Sequence, residues 1–369
     1  MLLVQASRDA LLKPLTTVVG IVERRHTLPI LANVLVRKQG QQVSFLTTDL
    51  EVQICTQADF GVGAEAAAIT VGARKLVDIL RALPADNEVE LLLEEQKLVV
   101  QSGRSRFELQ TMDAADFPVL DQPDTWTVAF DLPQQELKHI VGAVHYAMAH
   151  QDIRYYLNGM LFVFEPGQLH AVATDGHRLA HHAAEASQIA TKHEVIVPRK
   201  TVLEIQRLLD HSDSLVHIEV AAGQMRFSFD GIELVTKLVE GKFPDYTRVI
   251  PSTYTRHFSI NREALQGSLQ RAAILTTDKL RGVRIQLEAN QLKISASNAE
   301  QEQANEELEV DYPHESLDVG FNVSYLLDVL ANTKAPEVQW SVQPDSNASV
   351  LITLPKEEAF KYVVMPMRI

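Results

Sequence analysis

The chain has 369 residues, 46% of them apolar and 22% charged, an ordinary composition for a globular protein with two or three cored domains. It contains no run of about 18 apolar residues, which excludes a transmembrane helix, and its single cysteine, Cys55, excludes an internal disulfide and a multi-thiolate metal site. The balance of 34 Lys and Arg against 48 Asp and Glu gives a net charge of −14, which by itself argues against a nucleic-acid binder but says nothing of where the charges sit.

In chain order, the opening MLLVQASRDALLK places Arg8 and Asp9 where a signal peptide needs its apolar stretch, so a cytoplasmic protein is expected. Leu11, Leu15, Val18, Val19 and Val22 fall at helical spacing, with Pro14 either kinking that helix or marking its early turn. Gly61 and Gly63 resemble part of a dinucleotide fingerprint, but they precede the strand-like Ile69-Thr-Val71 and read as a surface loop. A second helix is expected over 73–83, then strands at Val89–Leu93 and Leu98–Gln101, and a polar linker at Leu120–Trp126. The pattern restarts with a helix carrying Leu137, Ile140, Val141, Val144 and Met148, a second helix over 199–211, the strand Met225–Phe229 and a linker at Ile250–Arg256. It restarts again at Leu265, Leu269, Ala272 and Ala273, followed by a hairpin turning at Asn290-Gln291 between Val283–Glu288 and Leu292–Ser295, and a helix over 322–334.

The restarts keep a constant step. Thr48-Asp49 recurs as Thr174-Asp175, Leu31 to Val36 as Leu157 to Phe162, and Phe117-Pro118 as Phe243-Pro244, each 126 positions later. Asp78 matches Glu204 at 126 and then Asp328 at 124, while Gly282 trails Gly159 by 123 and Met365-Pro366 trails Phe243-Pro244 by 122. The same offset across unrelated segments makes the chain three tandem units of about 123 residues, spanning 1–125, 126–253 and 254–369. Two helices and roughly six to eight strands in each predict α+β domains with antiparallel sheet.

Catalytic signatures are missing: HExxH, GxSxG and GxxxxGK[ST] do not occur. The histidine-rich stretch VATDGHRLAHH offers His177, His181 and His182, of which only His177 and His181 share strand parity. Its Asp175 belongs to the repeated Thr-Asp pair, whose first copy has no histidine nearby, so neither a metal nor a cofactor is expected.

The segments RYYLNGM (154–160), TDGHRLA (174–180), KFPDYTRV (242–249), GFNVSYLLDVL (320–330) and YVVMPMRI (362–369) closely resemble the bacterial DNA polymerase III beta subunits, the DNA sliding clamps. The resemblance runs the full length. It implies three clamp-fold domains per chain and two chains joined head to tail in a six-domain ring, helices lining the hole and sheet outside. A non-enzymatic processivity factor is implied, opened by a separate clamp loader. Its implied partners are duplex DNA, a second copy of itself, the DNA polymerase III catalytic subunit, other polymerases, and mismatch-repair and ligase-type clients; no membrane is implied.

Carried onto this sequence, the resemblance implies a peptide-binding cleft for short segments with a glutamine followed by apolar and aromatic residues. Its lining would come from Leu157, from Thr174, Gly176, His177, Arg178 and Leu179, and from Pro244, Arg248 and Val249. Val363, Met365, Pro366, Met367 and Arg368 would complete it, with Asn322 and Tyr325 at the edge. Methionines suit a surface that must accept varied side chains. The last strand could equally be plain core, and no cleft residue is assigned around Pro344–Asn347. Residues implied to face DNA are Arg25, Arg74, His150, Gln151, Tyr155 and Arg199. The implied subunit junction sets Lys75, Phe107 and Leu109 against Ile274, Leu275, Gln301 and Glu302.

The charge pattern agrees with a basic lining inside an acidic ring. Lys13, Arg24, Arg25, Arg74, Lys75 and Arg81 fall on or beside the first pair of helices, and Lys138, Arg199, Lys200, Arg207, Arg262, Arg271 and Lys334 on or beside the others. Acidic residues crowd strands and loops, as at Glu88–Glu95 and Glu300–Asp311. Glu23-Arg-Arg-His26 departs from relatives, which often carry glycines and a proline there, and leaves that loop's shape open. The rival readings are a repeat-built protein scaffold that never touches DNA and an α+β enzyme using the 172–182 histidines.

Overall fold

The computed structural model describes residues 1–23, 28–250, 253–276 and 281–369. Across them the chain runs three times through one order: a strand, a helix, four strands, a helix and three strands. The helices among the described residues are α1 (Arg8–Val18), α2 (Ala73–Ala82), α3 (Gln134–Val144), α4 (Arg199–Leu208), α5 (Arg262–Ala273) and α6 (Val323–Ala331). Eight strands and two helices per run meet the expected α+β unit, and the strand ladders are antiparallel.

Local chemistry sets the helix ends. Ser7 accepts from the Ala10 amide at 3.3 Å, Asn261 from Ala264 at 2.9 Å and Asn322 from Ser324 at 3.0 Å, each satisfying an amide that lacks a partner within α1, α5 and α6. Pro14 does not break α1, which buries Leu11, Leu15 and Val18. Val19 and Val22 lie beyond the α-helix, Val19 in a 3-10 turn, and Met148 likewise follows a 3-10 turn after α3. α2 stops at Ala82 because Leu83 precedes Pro84 and takes an extended backbone. α4 and α6 are shorter than expected, ending at Leu208 and Ala331 instead of 211 and 334. In α6 the Asn332 side chain takes the Asp328 carbonyl at 2.9 Å and closes the last turn. The expected hairpin is present as Gly282–Glu288 and Gln291–Ser297, with Asn290 at a φ of 61° in its turn.

The described chain forms two compact units, Met1–Gln135 with Leu203–Leu238, and Glu136–Val202 with Val239–Ile369. In the first, twelve strands form one sheet. Leu2–Ser7, Glu88–Glu94, Lys97–Ser102 and Ser105–Asp113 lead to Ala67–Gly72, Asn33–Gln39, Gln42–Thr48 and Val52–Asp59, and then to Ile232–Lys237, Gln224–Phe229, Leu215–Ala221 and Val128–Pro133. In the second unit, the eight-stranded sheet runs His193–Pro198, Gly159–Glu165, Gly167–Thr174, Arg178–Ala186, Glu357–Val364, Val350–Leu354, Glu337–Val342 and Arg256–Asn261. A four-stranded sheet of Gln303–Glu309, Gln291–Ser297, Gly282–Glu288 and Leu317–Asn322 completes it.

One rule joins the repeats. The last strand of the second repeat pairs with Val52–Asp59 of the first, placing Leu234 opposite Ile54. The last strand of the third pairs in the same way with Arg178–Ala186 of the second, placing Leu179 opposite Val363. The corresponding strands left over are Ser105–Asp113 in the first unit and Gln303–Glu309 in the second. Gln303–Glu309 is an outer strand, and Ser105–Asp113 pairs on its second side only through Thr111–Asp113.

Candidate functional site

The repeated Thr-Asp pair is a turn-forming device. Asp49 Oδ1 accepts from the amides of Glu51 and Val52 at 2.9 and 2.7 Å, while the Thr48 hydroxyl donates to the Val52 carbonyl at 2.9 Å. Asp175 Oδ1 accepts from His177 and Arg178 at 2.9 and 3.1 Å, and the Thr174 hydroxyl donates to the Arg178 carbonyl at 2.6 Å. Both turns need a left-handed residue, met by Leu50 (φ 78°) in the first copy and Gly176 (φ 90°) in the second. A Cβ on Gly176 would lie 3.1 Å from the Arg154 guanidinium, so glycine also serves close packing here.

This turn is one wall of an open cleft in the second unit. Its floor is core: Leu157, Leu179 and Val363 belong to a buried cluster with Leu161, Val172 and Phe243, against which Tyr246 and Val249 pack. The cleft brings together ten expected residues: Leu157, Thr174, Gly176, His177, Arg178, Leu179, Pro244, Val249, Val363 and Met365. Four further residues line it that the sequence reading left out, Arg154, Tyr156, Phe243 and Tyr246. Phe243 carries the Phe-Pro repeat signal, and Tyr246 sits inside KFPDYTRV between two assigned positions, so both had a signal.

Pro366, Met367 and Arg368 line an adjoining cavity with Met365, Ser346, Asn347 and Ser349. The 346–349 segment, given no role in the sequence reading, therefore faces the terminal residues. The tail is held by the Met365 amide donating to the His177 carbonyl at 2.9 Å and the Met367 amide to that of Gly320 at 2.8 Å. Arg248 is highly exposed and ion-paired to Asp245 at 2.9 Å, outside the cleft lining. Asn322 caps α6, and Tyr325 is stacked on His177 with ring centroids 6.4 Å apart.

Arg178 ties the wall together. Its guanidinium donates to Asp175 at 3.1 Å, Asp328 at 2.5 Å and the Tyr146 carbonyl at 2.7 Å, and lies 4.5 Å from the Tyr325 ring centre. Its side chain is only 9% exposed, and Arg178→Ala removes the cation shared by Asp175, 16% exposed, and Asp328, 41% exposed. A destabilisation of about 3 kcal/mol is expected, read as a lower urea midpoint at unchanged m-value.

The histidines divide. His177 faces the cleft, while His181 stacks between His170 and Tyr246, with burial followed by His170, Lys361 and His182 pushing it down to about 3. A group so strongly neutral is core rather than an acid–base catalyst at neutral pH. His182 approaches Glu357 instead, away from the cleft.

Of the residues expected near DNA, His150, Gln151 and Tyr155 lie on one exposed loop, with Tyr155 75% exposed beside Ile153 at 88%. Gln151 holds a φ of 57° there. Arg199, at the start of α4, is half-buried and donates to the Met148 carbonyl at 3.3 Å. Arg74 is exposed on α2 and bonds the Val22 carbonyl. Arg24 and Arg25 lie outside the described residues. Some helix cations are tied to acids, which sequence position alone did not reveal: Arg207 bonds Glu204, Arg262 bonds Glu263 and Arg271 bonds Glu306.

Of the expected junction residues, Phe107 and Leu109 lie on a leftover strand and Gln301 and Glu302 just before the other, while Lys75, Ile274 and Leu275 lie on or after helices. Phe107 and Leu109 lie on Ser105–Asp113, with Phe107 37% exposed, and Lys75 is exposed on α2. Ile274, 77% exposed, and Leu275 follow α5, while Gln301 and Glu302 form the turn into Gln303–Glu309.

Comparison with known proteins agrees with this architecture. Models of the N-terminal, central and C-terminal domains of the DNA polymerase III beta subunit match residues 2–121, 131–245 and 247–368. The beta sliding clamp of Pseudomonas putida is 47% identical and that of Escherichia coli 44%, each over 98% of both chains. A crystal structure of the sliding clamp from Pseudomonas aeruginosa, bound to griselimycin, superposes with a TM-score of 0.95 at 45% identity, covering 100% of both chains. The chain belongs to the DNA polymerase III beta subunit family, the DNA sliding clamps.

Proposed function

We propose that two copies of this chain close head to tail into a ring around duplex DNA, with domains at 1–125, 126–253 and 254–369. The ring tethers polymerases and other clients through the cleft of each copy. The observation that carries this reading is a pair of leftover strands, Gln303–Glu309 at a sheet edge and Ser105–Asp113 paired on its second side only through Thr111–Asp113. In each compact unit, the last strand of one repeat pairs with the fourth strand of the repeat before it. Ser105–Asp113 and Gln303–Glu309 are the same two kinds of strand without that partner. Unpaired strand edges invite pairing, and a head-to-tail contact between the two leftover strands gives a ring when the rotation between copies closes. Phe107, Leu109, Ile274 and Leu275 supply the apolar part of the junction.

Inside the ring, contacts with the duplex fall on phosphates, giving attraction without sequence readout that salt weakens. Arg25, Arg74, Arg199 and the loop bearing His150, Gln151 and Tyr155 are the contacts proposed. Enclosure rather than affinity keeps the protein on DNA, which reconciles the net charge of −14 with a DNA-bound role. The protein performs no reaction; it acts by holding others in place.

The cleft suits a linear peptide. Its apolar floor accepts aromatic and aliphatic anchors, and the exposed His177 side chain offers a polar contact beside them. Light scattering at micromolar concentration is expected to give twice the 41.2 kDa chain mass. A monomer would contradict the ring.

A further inference from the structure

We propose that His139, His182 and Glu357 form a binding site for one divalent transition metal of the imidazole-preferring class, with zinc as its reference cation. Their donor atoms all lie within 4.8 Å of one another. They come from three elements of the second unit: α3, the strand Arg178–Ala186 and the strand Glu357–Val364. Both imidazoles aim Nε2 at the same oxygen, Glu357 Oε1, at 2.5 Å from His139 and 2.6 Å from His182. The rings meet edge to face with centroids 5.0 Å apart, which keeps both nitrogens turned to one point. His182 Nδ1 is buried without a partner, so the Nε2 side alone orients that ring.

Two imidazoles and a carboxylate are a recurrent zinc donor set, with a water taking the fourth position. Such a set favours zinc, cobalt, nickel or copper over magnesium and calcium. In a tetrahedral site the donor atoms stand roughly 3.4 Å apart, so each ring must open by less than about 1 Å. His139 can do so because its side chain is 53% exposed, which also gives the cation a route in. Glu136, three residues before His139 on α3, adds negative charge at the ring, and Lys334 opposes it.

The position gives the site a mechanical meaning. The ladder between Arg178–Ala186 and Glu357–Val364 runs from Arg178 opposite Val364 to His181 opposite Lys361 and stops there. His182 is the next residue. A cation held here clasps the two strands where their pairing ends and fastens both to α3.

The test uses the tag-free full chain, titrated with zinc by calorimetry and with cobalt(II) by absorption, alongside His139→Ala and Glu357→Gln. His139 is half exposed, so its loss should leave folding intact. One zinc per chain is expected, with affinity at least tenfold weaker in either variant and falling with pH as protons compete for the imidazoles. Cobalt should give the intense visible bands of a four-coordinate ion, and zinc should raise the wild-type Tm in a way that EDTA reverses. Magnesium should do neither. Failure to bind zinc at one per chain, or binding unchanged by His139→Ala, would overturn the proposal and leave a proton-bridged His–Glu–His cluster.

Discussion

Met365→Glu is expected to weaken binding of a glutamine-containing, aromatic-ended client peptide by roughly thirtyfold or more, the ~2 kcal/mol carried by a single central anchor contact. Met365 is 45% exposed and lines both the main cleft and its neighbour, so the substitution puts charge into the apolar surface without emptying the core. Removing Met365–Ile369 altogether should abolish binding, because it takes away the end wall and the two backbone bonds that seat it on His177 and Gly320. Fluorescence anisotropy with a labelled peptide measures both, and thermal unfolding checks the fold. Unchanged affinity in the folded variants would sink the cleft assignment.

The second large effect concerns ring closure. Ile274 is 77% exposed at the end of α5, where the proposed junction would cover it. Ile274→Asp forfeits about 2 kcal/mol of apolar burial at each of two junctions and places an unpaired carboxylate there. A loss of at least ~4 kcal/mol, roughly a thousandfold in association, should convert the dimer to a 41.2 kDa monomer in light scattering. The monomer should still bind the client peptide, because the cleft lies wholly within the second unit.

Much of this was legible in the sequence because tandem repetition made each landmark a test of the others. Thr174-Asp175 looked like part of a reactive cluster, yet its twin at Thr48-Asp49 marked it as a shared structural feature, and the two turns use matching hydrogen bonds. The terminal VVMPM does both tasks considered for it: Val363 is core and cleft floor, while Met365 is half-open to solvent. Helix ends were less readable. α6 stops short where the Asn332 side chain bonds the Asp328 carbonyl, and just past the end of α4 the Asp210 amide donates to Gln134 Oε1 at 2.9 Å, a partner distant in sequence.

Long-range side-chain geometry was the least accessible. Arg154 enters the cleft because Asp152 holds its guanidinium at 2.8 Å and its side chain also bonds the Asp175 carbonyl. Nothing in RYYLNGM signals that. Asn322, expected at the rim, caps the helix it begins, a bond its sequence position did not show. Counting neighbours along the chain also set His182 beside His177 and His181, whereas folding sets it beside His139 and Glu357.

The central claim is that enclosure, not affinity, keeps this protein on DNA. The direct measurement loads the protein onto nicked circular duplex, then cuts the circle at one site and follows the bound fraction by gel filtration. The account predicts stable retention on the intact circle, rapid loss after the cut, and retention restored when both ends of the linear DNA are blocked by bulky proteins. Equal retention on circular and open-ended linear DNA would contradict it.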